Sequence, residues 1–564
     1  MKITIHACWC FVATILTLHF NLVVELSKLY AHDPVVKFHY NFYDMDREEI
    51  FETMIKKIAR LRLVSHESGQ PPTSYEEYEF YGPPMNALIT TSLHHGMFET
   101  ILRILGSEEQ VKEYLPKVLS YKVLGCYAQT EMGHGSDVQS LQTEAVYDNE
   151  TDQFIVNTPT ILAAKFWPGE LGKFADHCVF HAKMIIDGES CGIHAFLARI
   201  RDDEAHRPLK GLEIGDVGPK YGYSTKDNGY MIFKDFKVPR SALLSRFVNL
   251  NSKGELDIRG DPKVAYSTML YVRVSLMDFT WKINLSILLV GIRYTLFRKQ
   301  FRSIDNSKEE RKVFDYQATQ YQMMPFLSFS FACIFASKRC SALYEQMREE
   351  IKNDNFTTMK DLHSIVSAFK GLHMPESLNG LFKVRECCGA HGYSNYSNIP
   401  NIIEIWSPNV TLEGDTMVMY QQTAKGFLKK FRIMKNSGKT IKGIYSYMNE
   451  YRDFSSDPAT FDINNSDDLL LVLKIAVIQS LNKISELLPN QDDKVSFDIA
   501  WNRVYQIDVI STAHLNAHLL NALMFDMEMK SLTLSAPLKK VMNIMLKLYL
   551  SDILVSRTFS HLSC

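Results

Sequence analysis

Between Val123 and Arg240 the hydrophobic pattern of this 564-residue chain changes from a helical period to a two-residue period, and no other feature constrains the fold as much. Phe154 to Val156, Cys178 to His181, His194 to Ile200 and Tyr230 to Val238 alternate or run β-branched between Gly, Asp, Asn and Pro, which predicts an antiparallel β domain. Before it, Ile50, Phe51, Met54, Ile55, Ile58, Leu61 and Leu63 form an apolar stripe among Lys, Arg and Glu, and Met97, Ile101, Leu102 and Ile104 start a second helical group. After it, helical spacing runs over 264–302, 311–350, 358–388 and 416–434, as in an antiparallel bundle. A polar connection, 436–465, leads to further helices over 467–564. The expected class is α+β, with an atypical apolar segment at 1–25, an all-α domain at 26–121, a β domain at 122–241, a helical bundle at 260–436 and a second helical domain at 466–564. No G-x-G-x-x-G opens a strand-to-helix unit, which disfavours a Rossmann nucleotide site.

Charge narrows the range of partners. Lys plus Arg number 62 against 64 Asp plus Glu, so no global field favours nucleic acid, and an anionic ligand needs a local cluster. The ten cysteines are scattered and none has C-x-x-C spacing, so no zinc motif is expected and a reducing compartment is the simpler reading. Residues 7–24 resemble a signal-peptide core, but Thr14, Thr17, His19 and Asn21 interrupt a spanning helix, so stable membrane insertion is not expected. Secretion signal, buried helix and atypical gene start all remain open for this segment.

The chemistry is best placed between Cys387 and Thr416. Gly389, Gly392 and Pro400-Asn401 punctuate one loop there, and a second, Ser407 to Asp415, ends where an amphipathic helix begins. Asp415 is the expected N-cap, which leaves the Glu413 carboxylate just outside the helix, either facing a pocket or complementing the helix dipole. At Gln129 to Ser136, a hydroxyl and clustered backbone N–H groups beside glycines could bond a flat heteroaromatic ring; the alternative is a surface turn. Trp167 could wall a cofactor or fill a core. Arg298 suits a pyrophosphate or a solvated helix face. His134 and His391 carry no orienting carboxylate in the sequence and are left without a role.

Taken together, these motifs resemble the acyl-CoA oxidases, a branch of the acyl-CoA dehydrogenase superfamily, over roughly residues 25–525. The resemblance rests on Cys126-Tyr127-Ala128-Gln129-Thr130-Glu131-Met132-Gly133-His134-Gly135-Ser136, on Lys165-Phe166-Trp167-Pro168-Gly169, on Gly215 to Lys220, on Asp227-Asn228-Gly229, and on Arg293-Tyr294 through Arg298-Lys299-Gln300-Phe301. It implies an acyl-CoA dehydrogenase-like fold with a second, shortened C-terminal helical domain. It implies FAD, held by Gln129, Thr130, Trp167, Gly169, Arg298, Gln300, Gly389 and Gly392, with Gly135 and Ser136 at the acyl-CoA. Arg298 is expected to reach the cofactor of a neighbouring subunit, in a homodimer or a heterodimer with related subunits. Glu413 is expected to remove the pro-R α-hydrogen of a fatty acyl-CoA while the β-hydrogen leaves as hydride to flavin N5, giving a trans-2-enoyl-CoA, and O2 then yields hydrogen peroxide. No metal is implied.

A dehydrogenase that passes electrons to a protein carrier and a non-catalytic acyl-CoA-binding relative are the competing readings; the helical region after 436 favours the oxidase. The family's Ser-Lys-Leu end is replaced by His561-Leu562-Ser563-Cys564, so peroxisomal delivery is expected through a longer isoform, a partner or another signal. Six N-x-S/T sequons, at Asn149, Asn284, Asn355, Asn395, Asn409 and Asn464, bear on the secretory alternative. Asn284 falls in an apolar helical stretch and Asn409 four residues before Glu413, so an unglycosylated chain is expected.

Overall fold

A computed structural model of the chain describes residues 32–37, 39–67, 91–259, 266–302, 309–351, 353, 355–452, 461–489 and 492–558. The signal-like stretch 7–24 and the last four residues lie outside them. The described residues divide into two compact units, one up to Val272 and the other from Arg273 onward.

In the first unit, helices α1 (Arg47–Glu67), α2 (Thr100–Leu105) and α3 (Glu108–Leu119) precede the strands. A capping box starts α3: the Ser107 hydroxyl accepts from the Gln110 amide while the Gln110 side chain accepts from Ser107 N–H. Besides a small antiparallel pair, Val248–Leu250 with Leu256–Ile258, nine strands follow: β1 (Gly125–Ala128), β2 (Glu144–Asp148), β3 (Gln153–Asn157), β4 (Lys165–Phe166), β5 (His177–Ile186), β6 (Glu189–Arg199), β7 (Leu212–Asp216), β8 (Gly229–Phe233) and β9 (Phe236–Pro239). They form a six-stranded sheet, ordered β1-β5-β2-β3-β9 with β6 also on β5, and a three-stranded sheet ordered β4-β8-β7. β2, β3 and β9 alternate in burial as their two-residue period requires. β5 is buried along most of its length because it is paired on both edges.

Most ladders are antiparallel, but β1 and β2 both run parallel to β5, β1 beside residues 177–180 and β2 beside 183–185. Two parallel strands on one edge require the chain to leave the sheet between them and re-enter in the same direction. Residues 129–143 make that excursion. The core joins the two sheets through aromatic contacts: Phe180 meets Phe196 at 5.5 Å between ring centres and Phe233 of the smaller sheet at 4.9 Å.

The second unit is helical: α4 (Tyr266–Phe297, belonging to this unit from Arg273 on), α5 (Gln317–Ile351), α6 (Thr357–Cys387), α7 (Ile399–Trp406), α8 (Thr416–Ser437), α9 (Ser466–Leu487), α10 (Lys494–Ile499), α11 (Gln506–Ser531) and α12 (Ala536–Ile553). α11 packs against α5, α6, α8, α9 and α12, which explains a sequence that is apolar nearly all round. α4 and α5 are long and apolar enough to cross a bilayer, but 56% and 72% of their most apolar windows are buried in the fold.

Three local expectations are corrected. The helix over 264–302 stops at Phe297, and Lys299–Arg302 instead pairs antiparallel with Glu310–Lys312; Phe301 has φ 62°, outside the helical region. Pro400 does not mark a loop but sits in the first turn of α7, where its missing N–H costs no hydrogen bond. The polar connection contains a 3₁₀ stretch, Gly443–Arg452, that buries Tyr445, Tyr447 and Met448.

Two sequon asparagines are inaccessible: Asn284 is 0% exposed and Asn409 2% exposed. A glycan on either would have to precede folding and prevent it. Chain expressed in eukaryotic cells is therefore expected to carry no glycan at Asn284 or Asn409; a glycosidase-sensitive mobility shift lost in Asn284→Gln or Asn409→Gln would contradict this packing.

Candidate active site

Asp415 caps α8 as expected, its carboxylate accepting from the N–H groups of Met417 and Val418. The two residues before it both lie in the left-handed region, Glu413 at φ 58° and Gly414 at φ 97°. Glycine adopts this conformation freely, whereas glutamate needs its surroundings to hold it there. What holds it is a pair of cations buried under the turn. Arg273 of α4 donates from Nε to the Glu413 carbonyl at 3.3 Å. Lys370 of α6 donates from Nζ to the carbonyls of Val410, at 3.2 Å, and Gly414. Just upstream, Trp406 is fully buried and donates from Nε1 to the Met374 carbonyl at 3.0 Å, which ties α7 and the turn to α6.

Electrostatics makes this carboxylate unusual. Burial raises the Glu413 carboxyl above its ordinary value, while Arg273 and Lys370 oppose the rise. The same burial lowers Arg273, and burial with help from Arg273 brings Lys370 down to about 8. His363 is held at about 4 by burial and by Arg273, so it is neutral at physiological pH. Arg273 Nη1 is buried and has no hydrogen-bond partner among the described residues. The arrangement is a desolvated carboxylate beside two cations, suited to taking a proton from a weak acid. Sequence reading had selected Glu413 and Asp415 and missed Arg273 and Lys370. The available signal was a single cation within each of two apolar stretches, Tyr271-Val272-Arg273-Val274 and Ala368-Phe369-Lys370-Gly371-Leu372.

The other predicted residues fall into two groups. In the first unit, the excursion between β1 and β2 is fastened to β4. Phe166 N–H donates to the Thr130 carbonyl at 3.1 Å, Met132 N–H to Ala164 and Gly133 N–H to Leu162. Beneath it the fully buried Glu131 and Lys165 pair at 3.0 Å. Glu131 also accepts from Thr143 N–H at 2.8 Å and Gln142 N–H at 2.7 Å, and Lys165 donates to the Gln129 carbonyl at 3.2 Å. Burial alone would raise the Glu131 carboxyl, but Lys165 and these hydrogen bonds hold it below its ordinary value. The pairing brings Gln129 and Thr130 beside Phe166 and Trp167. Trp167 has φ 81° and is 54% exposed. With more than half of its surface exposed, Trp167 does not fill a core. Gly169 follows, and a Cβ there would stand 2.8 Å from Leu93 Cδ1. Glu170, raised to about 7 by burial, accepts from Leu93 N–H and from Lys226. Gly135 and Ser136 form the exposed rim of the excursion, with open space around Gly135.

In the helical unit, Arg298 lies just past the end of α4 and Gln300 on the Lys299–Arg302 strand that follows, so neither is on a helix. With the Gln300 amide turned to match its partners, its oxygen accepts from Arg298 Nη2 at 2.6 Å and Nε at 3.1 Å. Arg298 is exposed between Phe297 and Phe301, which are 86% and 75% exposed. Gly389 has φ 58° in open space, whereas Gly392 is glycine for a packing reason, since a Cβ would stand 2.2 Å from the Arg385 carbonyl. His391 packs its ring 5.8 Å from Tyr294, and His134 Nδ1 is 3.5 Å from Glu131.

The helical unit thus carries a desolvated carboxylate beside two cations, and the β-containing unit presents an exposed tryptophan beside the β1–β2 excursion. Residues 19–124 match the family model described as acyl-coenzyme A oxidase N-terminal, and residues 266–428 match the acyl-CoA oxidase C-alpha1 domain. Peroxisomal acyl-coenzyme A oxidase 1 of Phascolarctos cinereus is 31% identical over 504 residues, 88% of this chain and 75% of that protein. The acyl-CoA oxidase structure from tomato superposes with TM-score 0.90 at 28% identity, covering 96% of this chain and 83% of that one. Acyl-CoA oxidase-2 of Caenorhabditis elegans, solved with FAD, ascaroside-CoA and ATP, gives TM-score 0.90 at 27% identity over 97% of this chain and 81% of that one. The chain belongs to the acyl-CoA oxidase family.

Arg273→Gln removes one of the two cations that oppose the burial-driven rise of Glu413. Its carboxyl then rises further and is protonated over more of the pH range. The acidic limb of the kcat/KM profile is expected to move to higher pH, and kcat/KM to fall by about tenfold or more, the scale of a lost hydrogen bond to a charged group of about 1.5–3 kcal/mol. Arg273→Lys keeps the charge and is expected to shift the limb less. Steady-state rates across pH check both.

Proposed function

We propose that this chain is an FAD-dependent oxidase of fatty acyl-CoA thioesters in which Glu413 is the catalytic base. The observation that carries the reading is the Glu413 carboxylate, desolvated and near the charges of Arg273 and Lys370, which bind the carbonyls of the left-handed turn that carries it. Oxidation of fatty acyl-CoA is the first step of β-oxidation, and the compartment is the peroxisome. Removing an α-proton from a thioester calls for a base stronger than an ordinary carboxylate, and burial supplies that strength. Arg273 and Lys370 limit the rise so that the ionised form persists. Bound acyl-CoA would exclude more water from Glu413 and strengthen it again.

Gln129, Thr130, Trp167 and Gly169 are the proposed flavin contacts of the first unit: a hydroxyl and backbone for the ring's polar edge, an indole wall, and a glycine that admits close approach. Their fastening through Glu131–Lys165 holds them ready before the cofactor arrives. FAD, when bound, supplies the acceptor for the β-hydrogen as hydride and a route for the electrons to O2. Gly135 and Ser136 are proposed at the substrate. Arg298, with Gln300 orienting its guanidinium, is proposed to reach the flavin pyrophosphate of a neighbouring subunit, and the exposed Phe297 and Phe301 beside it suit an interface of a homodimer or heterodimer. Gly389 and Gly392 are proposed on the same cofactor's side of the helical unit. Release of hydrogen peroxide on adding acyl-CoA to the yellow holoprotein tests the oxidase reading against a dehydrogenase, and a colourless protein would favour a non-catalytic relative.

Glu413→Gln keeps the shape of the side chain and removes the base. It is expected to retain flavin and acyl-CoA binding, while flavin reduction in a single turnover slows by about 10²- to 10⁴-fold; reduction at the normal rate would remove Glu413 from the mechanism. Arg298→Ala is expected to lose flavin on dilution, since a hydrogen bond to a charged group contributes about 1.5–3 kcal/mol. The ratio of flavin absorbance to protein after gel filtration at low concentration measures it.

A further inference from the structure

We propose that Glu376, His514 and His518 bind a divalent transition-metal ion, zinc being the ion whose chemistry fits, at a site on α6 and α11 separate from the Glu413 turn. His514 and His518 are four residues apart on α11, so their rings leave the same face of the helix. Glu376 comes from α6, which packs against α11. One ligand atom from each of the three residues lies within 4.8 Å of the other two. His514 Nε2 is 3.6 Å from Glu376 Oε1, and the two imidazoles meet edge to face at 4.8 Å between centres. An ion pair between Glu376 and His514 would account for two of these residues. His518, a third metal-ligating group and only 5% exposed, converges on the same point.

The surroundings of His518 favour a ligand role. Its Nδ1 is 2.9 Å from the Tyr549 hydroxyl, which also accepts from Asn521 Nδ2 at 3.0 Å. We assign Nε2 to the metal, which requires the tautomer whose Nδ1–H donates to the Tyr549 hydroxyl; the opposite direction would place the proton on Nε2. An outer hydrogen bond that fixes the tautomer and orientation of a liganding histidine is a regular part of such sites. Two imidazoles and one carboxylate suit zinc, whereas magnesium and calcium prefer oxygen ligands. A tetrahedral zinc with Zn–N of about 2.0–2.1 Å places its ligand atoms roughly 3.3–3.5 Å apart, so closing the cluster needs only modest side-chain rotation. The Glu376 and His514 side chains are each 21% exposed, which leaves an approach for the ion and for water as a fourth ligand. The bound ion would tie α6, the helix that carries Lys370, to α11. No zinc spacing is visible in the sequence because Glu376 lies 138 residues before His514.

The test uses the full chain without a histidine tag, stripped with chelator and titrated with zinc chloride by calorimetry or against a chromophoric chelator. One equivalent per chain is expected, with magnesium unable to compete. His514→Gln and Glu376→Gln, both at partly exposed positions, are each expected to weaken binding by at least about tenfold, and Tyr549→Phe by about 10- to 100-fold. His518→Gln is expected to abolish binding, with circular dichroism and Tm confirming that each variant is folded. Absence of a stoichiometric zinc site in the wild-type chain, or zinc affinity unchanged in both His514→Gln and Glu376→Gln, would overturn the proposal.

Discussion

Two buried cations under one turn of backbone carry the helical unit's chemistry. Arg273 and Lys370 lose much of their hydration, and the carbonyls of Val410, Glu413 and Gly414 replace part of it. Two of those carbonyls, of Glu413 and Gly414, belong to residues on left-handed backbone. Strain at the turn and desolvation of the cations are each unfavourable alone, and each is offset by the other. The carboxylate of Glu413 benefits from both: its backbone is fixed, and the nearby charges moderate the effect of burial. The same carboxylate among neutral neighbours would be protonated over more of the pH range.

The β-containing unit uses the same physical device. Its excursion between β1 and β2 would be an ordinary mobile loop if hydration were its only alternative. Instead Glu131 and Lys165, both fully buried, bond to each other and to the backbone of residues 129, 142 and 143, so every departure of the loop would uncover an unpaired charge. Glu170 does this for the segment after Trp167, joining Lys226 to the Leu93 amide. Ion pairs of this kind add little net stability, but they select one loop conformation.

The two-residue period between Val123 and Arg240, the helical periods around it and the N-cap at Asp415 were legible because burial of one face imposes them locally. Glu413 was legible as a carboxylate just outside a capped helix. Its partners were not, because Arg273 and Lys370 lie 140 and 43 residues earlier and meet it only through packing. The parallel placement of β1 and β2 on β5 escaped for a related reason, since alternation reports which face is buried and not which way a neighbouring strand runs. Where local signals competed, the tertiary structure chose: the helical pattern through Arg298 and Gln300 gave way to strand pairing, and Pro400 entered a helix.

The sequence by itself therefore determined the order of helical and β units, the cap that starts α8, and the residue types available for chemistry, since each follows from interactions between near neighbours along the chain. Only the tertiary structure decided which charges are buried together, because a raised carboxyl such as Glu413, a lowered ammonium such as Lys370, and the convergence of Glu376 with His514 and His518 all depend on desolvation by residues remote in sequence.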